Sequence, residues 1–174
     1  MRRMRVYVAV PLTHDRDRER AQYICESLRG AGFEATSPWV AEEDAKQALI
    51  PQEVYDRDVL AVAVSDAVVA EVSVPSLGIG MELMVAVSKG MPIACLHEKG
   101  RTVSWMVLGA PGVHLVPYTL DCIDEGLKNT TTWLRSLPVV SSPKTFILRT
   151  NKEVSQCIKT YCIKTSRRNQ SSRK

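Results

Sequence analysis

Two acidic residues are spaced so that both could border one pocket. Asp58 lies within a predicted helix, and Glu82 lies near the start of the next one. Two carboxylates around one pocket can perform glycosidic chemistry, in which one attacks or stabilises the anomeric carbon and the other handles protons. Each also has an ordinary interpretation. Asp58 could be a surface charge beside Asp56 and Arg57, and Glu82 a helix acid favoured by the helix dipole. Spacing alone leaves both interpretations open.

A turn between a strand and a helix has the composition of an anion cradle. Pro75, Ser76, Gly78 and Gly80 follow an apolar strand, and a helix is predicted over residues 79–89. Glycines let the backbone approach a ligand closely. The free N–H groups and the positive end of the helix dipole favour an anion. The sequence therefore predicts a phosphate-type site at this turn, to which Ser76 would add a hydroxyl.

No cofactor or metal is predicted. The loop after the first strand, residues 10–16, contains no glycine, so it lacks the dinucleotide fingerprint, and no Walker loop or nucleophile elbow is present. None of the three histidines has the spacing of a metal ligand. Reduced thiols in a cytoplasmic protein are expected, because the cysteines form no Cys-x-x-Cys pair; they are Cys25, Cys95, Cys122, Cys157 and Cys162.

Charge divides the chain into two parts. Residues 138–174 carry nine Lys and Arg against one Glu, a charge of +8, which leaves −4 on residues 1–137 out of a total of +4. The first part is predicted to be one catalytic domain, and the second a flexible basic tail. A solvated terminus is the simpler interpretation of the tail, while a nucleic-acid, nuclear-targeting or membrane-surface arm stays open. No apolar run is long enough to span a bilayer, and no signal peptide is expected.

Strands and helices alternate along residues 1–137. This alternation predicts an α/β fold with a doubly wound, five-stranded parallel sheet and helices on both faces, Rossmann-like or flavodoxin-like. Ligands bind beyond the carboxyl ends of such strands, so residues 10–16, Trp39 and residues 74–82 are expected at one edge. The predicted strands are 5–10, 33–36, 67–72, 91–96 and 113–116, and the predicted helices are 16–30, 51–64, 79–89 and 120–137, with a loop or short helix at 102–108.

Three stretches of the chain carry a family resemblance. They are Asp58-Val59-Leu60, the strand and turn that end in Pro75-Ser76-Leu77-Gly78-Ile79-Gly80-Met81-Glu82-Leu83, and Arg101-x-x-Ser104-x-Met106-x-x-Gly109-Ala110. They resemble the nucleoside 2-deoxyribosyltransferase superfamily, and within it most closely the 2'-deoxynucleoside 5'-phosphate N-hydrolases. The resemblance covers about residues 5–137. It implies hydrolysis of a deoxynucleoside 5'-monophosphate to a free base and deoxyribose 5-phosphate.

The resemblance assigns roles to three residues. Glu82 matches the glutamate that attacks the anomeric carbon and forms a glycosyl-enzyme intermediate. Asp58 matches the aspartate that helps to protonate the leaving base and orients the sugar. Tyr7 matches a first-strand tyrosine that positions the glutamate, although a strand tyrosine considered alone would be assigned to the core.

The resemblance also implies a phosphate site and a homodimer. Ser76 and Gly78 match phosphate-cradle positions. Ser104 matches a serine that reaches the phosphate of the neighbouring subunit, which places Trp105 and Met106 near the interface. A small nucleotide and a second copy of the chain are therefore the expected partners.

Two positions depart from the hydrolase pattern. After the first strand the hydrolases carry Gly-Ser-Ile-Arg-Gly-Gly, whereas this chain has Val10-Pro11-Leu12-Thr13-His14-Asp15, followed by Arg16. Thr13, His14 and Arg16 remain as candidate phosphate donors. A histidine after the second strand is replaced by Trp39, which is suited to base stacking. These departures concern phosphate recognition and base preference rather than glycosidic chemistry.

Two other function classes stay open. A deoxyribosyltransferase, or a nucleoside hydrolase without a phosphate requirement, would use the same acids. Transferases usually carry Asp-x-Gly-Thr-x-x-Glu where this chain has the Pro-Ser-Leu-Gly-Ile-Gly-Met-Glu run, which disfavours that class. A non-catalytic binding module could share the fold. The joint presence of Tyr7, Asp58 and Glu82 argues against it.

Overall fold

Five parallel strands form one sheet in the order β2-β1-β3-β4-β5. The structure is a computed structural model that describes residues 2–11, 17–41 and 49–138. This strand order is that of doubly wound flavodoxin-like sheets, so the predicted fold is confirmed. The strands are β1 (Arg5–Ala9), β2 (Glu34–Ala35), β3 (Ala67–Glu71), β4 (Ile93–Glu98) and β5 (Val113–Tyr118).

Helices cover both faces of the sheet. One face packs against the first and last helices, and the other against the second and third. The helices are α1 (Arg18–Gly30), α2 (Pro51–Ala63), α3 (Leu77–Ser88), the short α4 (Trp105–Leu108) and α5 (Ile123–Ser136), and one 3₁₀ turn spans Pro38–Ala41. Within the described ranges, no helix combines the length and apolar character needed to cross a membrane.

The alternation of side chains along β1 decides which residues face the candidate site. Val6 and Val8 pack into the core beneath α1 and α5, whereas Tyr7 and Ala9 pack beneath α2 and α3. The polar end of Tyr7 is therefore directed to the face that also carries the two candidate acids. All five residues of the central strand β3 are buried, as expected for a parallel strand covered on both faces.

The ends of α1 differ from the prediction. The helix begins at Arg18 rather than residue 16, because Asp17 is its N-cap and accepts a hydrogen bond from the Arg20 N–H over 2.9 Å. Gly30 ends the predicted helix and is the expected C-cap, because glycine is common there, but it is the last helical residue and Ala31 is the C-cap. The left-handed turn follows at Gly32, whose φ is 92°.

Two strands run further than predicted. β4 and β5 continue to Glu98 and Tyr118, because their ladder extends through the pairs His97–Pro117 and Glu98–Tyr118. Residues 39–46 are predicted to form a polar connection that could include a helical turn, and residues 39–41 do lie in the 3₁₀ turn. The rest of this connection and the basic tail from residue 139 lie outside the described residues.

Candidate active site

Tyr7 and Glu82 meet on the face of the sheet covered by α2 and α3. The Tyr7 side chain is almost fully buried, and its hydroxyl donates a hydrogen bond to Glu82 Oε1 over 3.0 Å. Tyr7 belongs to β1, and Glu82 lies in the second turn of α3. The structure thus brings together the tyrosine and the glutamate that the sequence analysis paired.

Burial sets the acidity of Glu82. The pKa of this carboxyl is raised from its ordinary value of 4.5 to about 7, chiefly by loss of solvation and also by the nearby charge of Asp58. The hydrogen bond from Tyr7 and the charge of Arg57 lower it. These opposing effects leave Glu82 balanced between its two protonation states near neutral pH, as is common for groups that perform chemistry.

Asp58 is held inside the site and not displayed on the surface. Only 14% of its side chain is exposed, and its Oδ1 accepts from Arg57 Nε over 2.8 Å. The ordinary interpretation of Asp58 as a solvated helix charge is therefore wrong. Its charge lies close enough to Tyr7 and Glu82 to raise the pKa of both side chains.

Arg57 is a site residue that the sequence analysis did not assign. Its guanidinium carbon lies 4.4 Å from the centroid of the Trp39 ring, so one face of that ring is covered. A base could therefore stack only on the remaining face of Trp39. No sequence signal marked Arg57, because adjacent helical residues such as Arg57 and Asp58 do not ordinarily face each other. We refer to Tyr7, Arg57, Asp58 and Glu82 as the carboxylate cluster.

The phenol of Tyr7 is a neutral donor. Burial raises the pKa of its hydroxyl well above the usual range, and the negative charges of Glu82 and Asp58 raise it further. The phenol therefore keeps its proton at any physiological pH. It can hold one oxygen of Glu82 while the other oxygen remains for chemistry.

The predicted cradle is the first turn of α3. Ser76 is the N-cap, and its Oγ accepts from the Ile79 N–H over 3.4 Å. The helix begins at Leu77 and not at residue 79, so Gly78 and Gly80 lie inside the helix instead of in the preceding turn. A Cβ built on Gly80 would meet nothing within 4 Å, and one on Gly78 would meet only Ser76 Oγ, at 3.9 Å. Packing within the protein does not require these glycines, which border open space instead.

Residues 104–106 are exposed at the start of α4. Ser104 caps α4 and accepts from the Met106 N–H over 3.3 Å. Trp105 and Met106 are 86% and 83% exposed. In the described part of the chain, none of these three residues hydrogen-bonds to a member of the cluster.

The loop after β1 is only partly described. The Val10 side chain packs into the core beneath α1, on the face opposite to Tyr7, and Pro11 is also buried. The other predicted contacts of this loop lie outside the described residues; they are Leu12, Thr13, His14, Asp15 and Arg16.

No metal centre is found within the described residues, where no three His, Cys, Asp or Glu side chains are grouped as metal ligands. Cys25 and Cys95 are free and buried, and burial raises the pKa of Cys95 to about 12. Cys122 is free and exposed.

Comparison with known proteins identifies the relatives of this chain. The model of the nucleoside 2-deoxyribosyltransferase family matches residues 6–131. A protein of Methanococcoides burtonii, provisionally named 2'-deoxynucleoside 5'-phosphate N-hydrolase 1, is 41% identical over 91 residues, which cover 51% of this chain and 75% of the relative. The 5-hydroxymethyl-dUMP N-hydrolase of Mus musculus is 48% identical over 61 residues, or 34% of this chain and 35% of the relative.

Solved structures share the fold. The CMP N-glycosidase BcmB of Clostridium botulinum superposes with a TM-score of 0.52 at 21% identity, covering 75% of this chain and 98% of that one. The solution structure of BlsM superposes with a TM-score of 0.59 at 22% identity, covering 79% and 96%. At these identities the likeness concerns the architecture alone.

Proposed function

We propose that this chain, which belongs to the nucleoside 2-deoxyribosyltransferase family, hydrolyses the N-glycosidic bond of 2'-deoxynucleoside 5'-monophosphates. The products would be a free base and 2-deoxyribose 5-phosphate. The family match and the N-hydrolase relatives confirm the resemblance noted at residues 58–83. The observation that carries the proposal is the hydrogen bond from Tyr7 to Glu82 beside Asp58.

The reaction proceeds in two displacements at the anomeric carbon. The Glu82 oxygen that Tyr7 does not hold attacks C1' of the sugar, the C1'–N bond to the base breaks, and a glycosyl ester forms. Water then attacks C1', and the Glu82 carboxylate departs. Asp58, held in place by Arg57, passes protons between solvent and the departing base and orients the sugar.

The geometry of α3 supports a phosphate at its N-terminus. Residue 78 precedes Glu82 by four residues, a rise of about 6 Å along the helix axis. This distance is comparable to the span of a sugar phosphate between its phosphorus and C1'. The helix N-terminus with Ser76 would hold the anion, while Glu82 reaches the opposite end of the sugar. The separation also keeps the Glu82 charge away from the phosphate.

A homodimer forms part of the proposal. Large apolar side chains on α2, α3 and α4 are exposed, and a surface of this kind commonly marks a protein interface. We name them the apolar patch: Leu60, Leu77, Met81, Met84, Trp105 and Met106. Because Ser104 caps α4, whose residues Trp105 and Met106 are exposed, it is assigned to the phosphate site of the second copy.

A cytoplasmic location, with nuclear entry through the basic tail as the alternative, belongs to the same proposal. Three free thiols among the described cysteines support a reducing compartment. Fractionation of cells that express the tagged full chain, followed by immunoblotting, tests this assignment.

Base release is the test of the proposed reaction. The purified full chain is incubated with each deoxynucleoside and ribonucleoside 5'-monophosphate and with the corresponding nucleosides, and the free base is quantified by chromatography. We expect base from the deoxynucleoside monophosphates and none from the Glu82→Gln variant. A parallel reaction with a second, labelled base detects transfer. Labelled nucleotide as the main product would identify a transferase, and equal hydrolysis of nucleosides would remove the phosphate requirement.

A further inference from the structure

A second polar network lies at the same edge of the sheet, on the opposite face from the carboxylate cluster. Glu71 ends β3 and is 3% exposed. Its Oε1 accepts hydrogen bonds from the Tyr118 hydroxyl over 2.9 Å, from the Ser73 N–H over 3.2 Å and from the Ser73 hydroxyl. Ser73 and Tyr118 are also buried. A buried carboxylate that accepts from three donors has its hydrogen bonds satisfied. Removal of any one donor should alter the hydrogen bonds that the others make.

The network joins the ends of three strands and one helix. Ser73 Oγ accepts from the Glu98 N–H, at the end of β4, over 2.7 Å. The Tyr118 hydroxyl, at the end of β5, also accepts from Arg20 Nη1 over 3.0 Å. Arg20 is paired with Asp17, the N-cap of α1, over 3.1 Å. Glu71 is thus linked to the start of α1.

The segment that the network holds leads directly into the phosphate cradle. Ser73 precedes Ser76 by three residues, and Ser76 caps α3. The last ladder hydrogen bond of this region, from Val72 N–H to the Leu96 carbonyl, spans 2.9 Å and lies one residue before Ser73. The hydrogen bonds of Ser73 to Glu71 and Glu98 therefore hold the backbone in place beyond the end of the sheet.

We infer that Glu71 and Tyr118 are positioning residues for the 5'-phosphate of the substrate, acting through Ser73 on the loop that ends at Ser76. The inference rests on the proposed phosphate site. Neither side chain needs to touch the substrate, because the network fixes the backbone from which the cradle is built. Support of this kind is required where a binding group must be held within a fraction of an ångström.

The inference makes an asymmetric prediction. The network supports the phosphate end of α3, whereas Glu82 is held separately by Tyr7. Loss of the Glu71 network should therefore weaken recognition of the phosphate and leave the bond-breaking step intact. Small displacements of binding groups cost about one to two orders of magnitude, so we expect KM for a monophosphate to rise about tenfold in Tyr118→Phe. The kcat for that substrate and the KM for the matching nucleoside should hardly change.

The experiment compares four variants of the full chain with the wild type. Tyr118→Phe and Ser73→Ala each delete one hydroxyl of the network, and Glu71→Gln keeps an oxygen that can accept its hydrogen bonds. Thr130→Val is the matched control, because its buried hydroxyl bonds only to the Gly126 carbonyl within α5. For each variant, KM and kcat are measured with a deoxynucleoside monophosphate and its nucleoside, together with inhibition by inorganic phosphate and thermal unfolding.

Support would be a raised KM for the monophosphate and weaker inhibition by inorganic phosphate in Tyr118→Phe and Ser73→Ala. Glu71→Gln should stay close to wild type, and Thr130→Val should change melting temperature alone. If the wild type prefers the monophosphate and both hydroxyl deletions keep that preference, this inference alone is overturned. A wild type that releases base without any preference for phosphate overturns both the proposed cradle and this inference. Equal losses for both substrates would reduce the network to a structural role and also contradict the inference.

Discussion

The Tyr7 hydroxyl lies 3.0 Å from Glu82 Oε1 and connects the first strand to α3 across 75 positions of the chain. This bond and the charge of Arg57 both stabilise the ionised form of Glu82 and so lower its pKa. Burial and Asp58 act in the opposite direction. Because the proposed nucleophile must be ionised to attack, these four influences predict how activity depends on pH.

The pH dependence of the wild type should show an acidic limb near pH 7. Burial raises the pKa of Glu82 to about 7, so the reactive carboxylate is lost as the pH falls through that value. Below the limb, kcat/KM should drop tenfold for each pH unit. The measurement is kcat/KM for base release between pH 3.5 and 9, with a buffer series of constant ionic strength. A limb near pH 4.5, the ordinary value for glutamate, would show that the site does not perturb this carboxyl.

Variants of the two neighbours on α2 should move this limb in opposite directions. The charge of Arg57 lowers the pKa of Glu82, so Arg57→Gln should shift the limb to higher pH. The charge of Asp58 raises that pKa, so Asp58→Asn should shift the limb to lower pH while also slowing turnover. The kcat/KM of each variant, measured across the same pH range, shows the direction in which the limb shifts. Gln52→Glu on the exposed start of α2 serves as a control for a distant charge. Shifts of the same sign in both α2 variants would contradict the arrangement.

Ionisation of the buried Glu82 should lower the free energy of unfolding at neutral and alkaline pH. An acid whose folded pKa exceeds its unfolded value carries no cost when both states are protonated, and the cost grows as the pH rises from about 4.5 to about 7. Above pH 7 the full cost is about 3 kcal/mol. Glu82→Gln should therefore be more stable than wild type at pH 8, by a margin about 3 kcal/mol larger than at pH 4.

Denaturant unfolding at the two pH values measures this margin. Glu125→Gln, an exchange at an exposed position of α5, is the control and should show no such pH dependence. A Glu82→Gln margin that is the same at pH 4 and pH 8 would mean that burial does not perturb the carboxyl in the folded chain.

Much of the fold could be predicted from the sequence because parallel strands leave a clear pattern. The β-branched run of β3 and the alternation of strands with helices were sufficient to predict the parallel sheet. They were also sufficient to predict the edge of the sheet at which the candidate site lies. Element ends depend on local hydrogen bonds that apolar periodicity does not report. Thus α3 begins at Leu77 because the Ser76 hydroxyl caps it, and α1 ends in a left-handed turn at Gly32.

The site was predicted less completely, for a physical reason. Tyr7, Asp58 and Glu82 were identified by resemblance, since a strand tyrosine and two helix acids are individually unremarkable. Arg57 was missed because adjacent helical residues such as Arg57 and Asp58 do not ordinarily face each other, and because Trp39 lies on a different element. The environment of Glu82 likewise exists only after β1 and α2 have packed beside α3.

Subunit mixing should reveal whether the sites are shared. A Glu82→Gln subunit lacks the nucleophile but keeps Ser104, and a Ser104→Ala subunit has the opposite defect. In the heterodimer, the site that keeps Glu82 would receive Ser104 from its neighbour. Co-expressed subunits with different tags should therefore hydrolyse a monophosphate faster than the average of the two parent proteins.

A charged substitution in the apolar patch provides a second test of dimer formation. Met106→Asp should yield monomers with a raised KM for the monophosphate, whereas Asn129→Asp at an exposed position of α5 should leave the dimer intact. Sedimentation gives the oligomeric state. A wild type that is monomeric and fully active would remove both the dimer and the role of Ser104.

The most direct measurement of the central claim is the intact mass of the protein stopped in acid during turnover of a deoxynucleoside 5'-monophosphate. The account predicts a covalent deoxyribosyl phosphate adduct on the wild type, located by peptide sequencing to Glu82, and neither adduct nor base release in Glu82→Gln. Base release by Glu82→Gln at the wild-type rate, or an adduct on any other residue, would contradict Glu82 as the nucleophile.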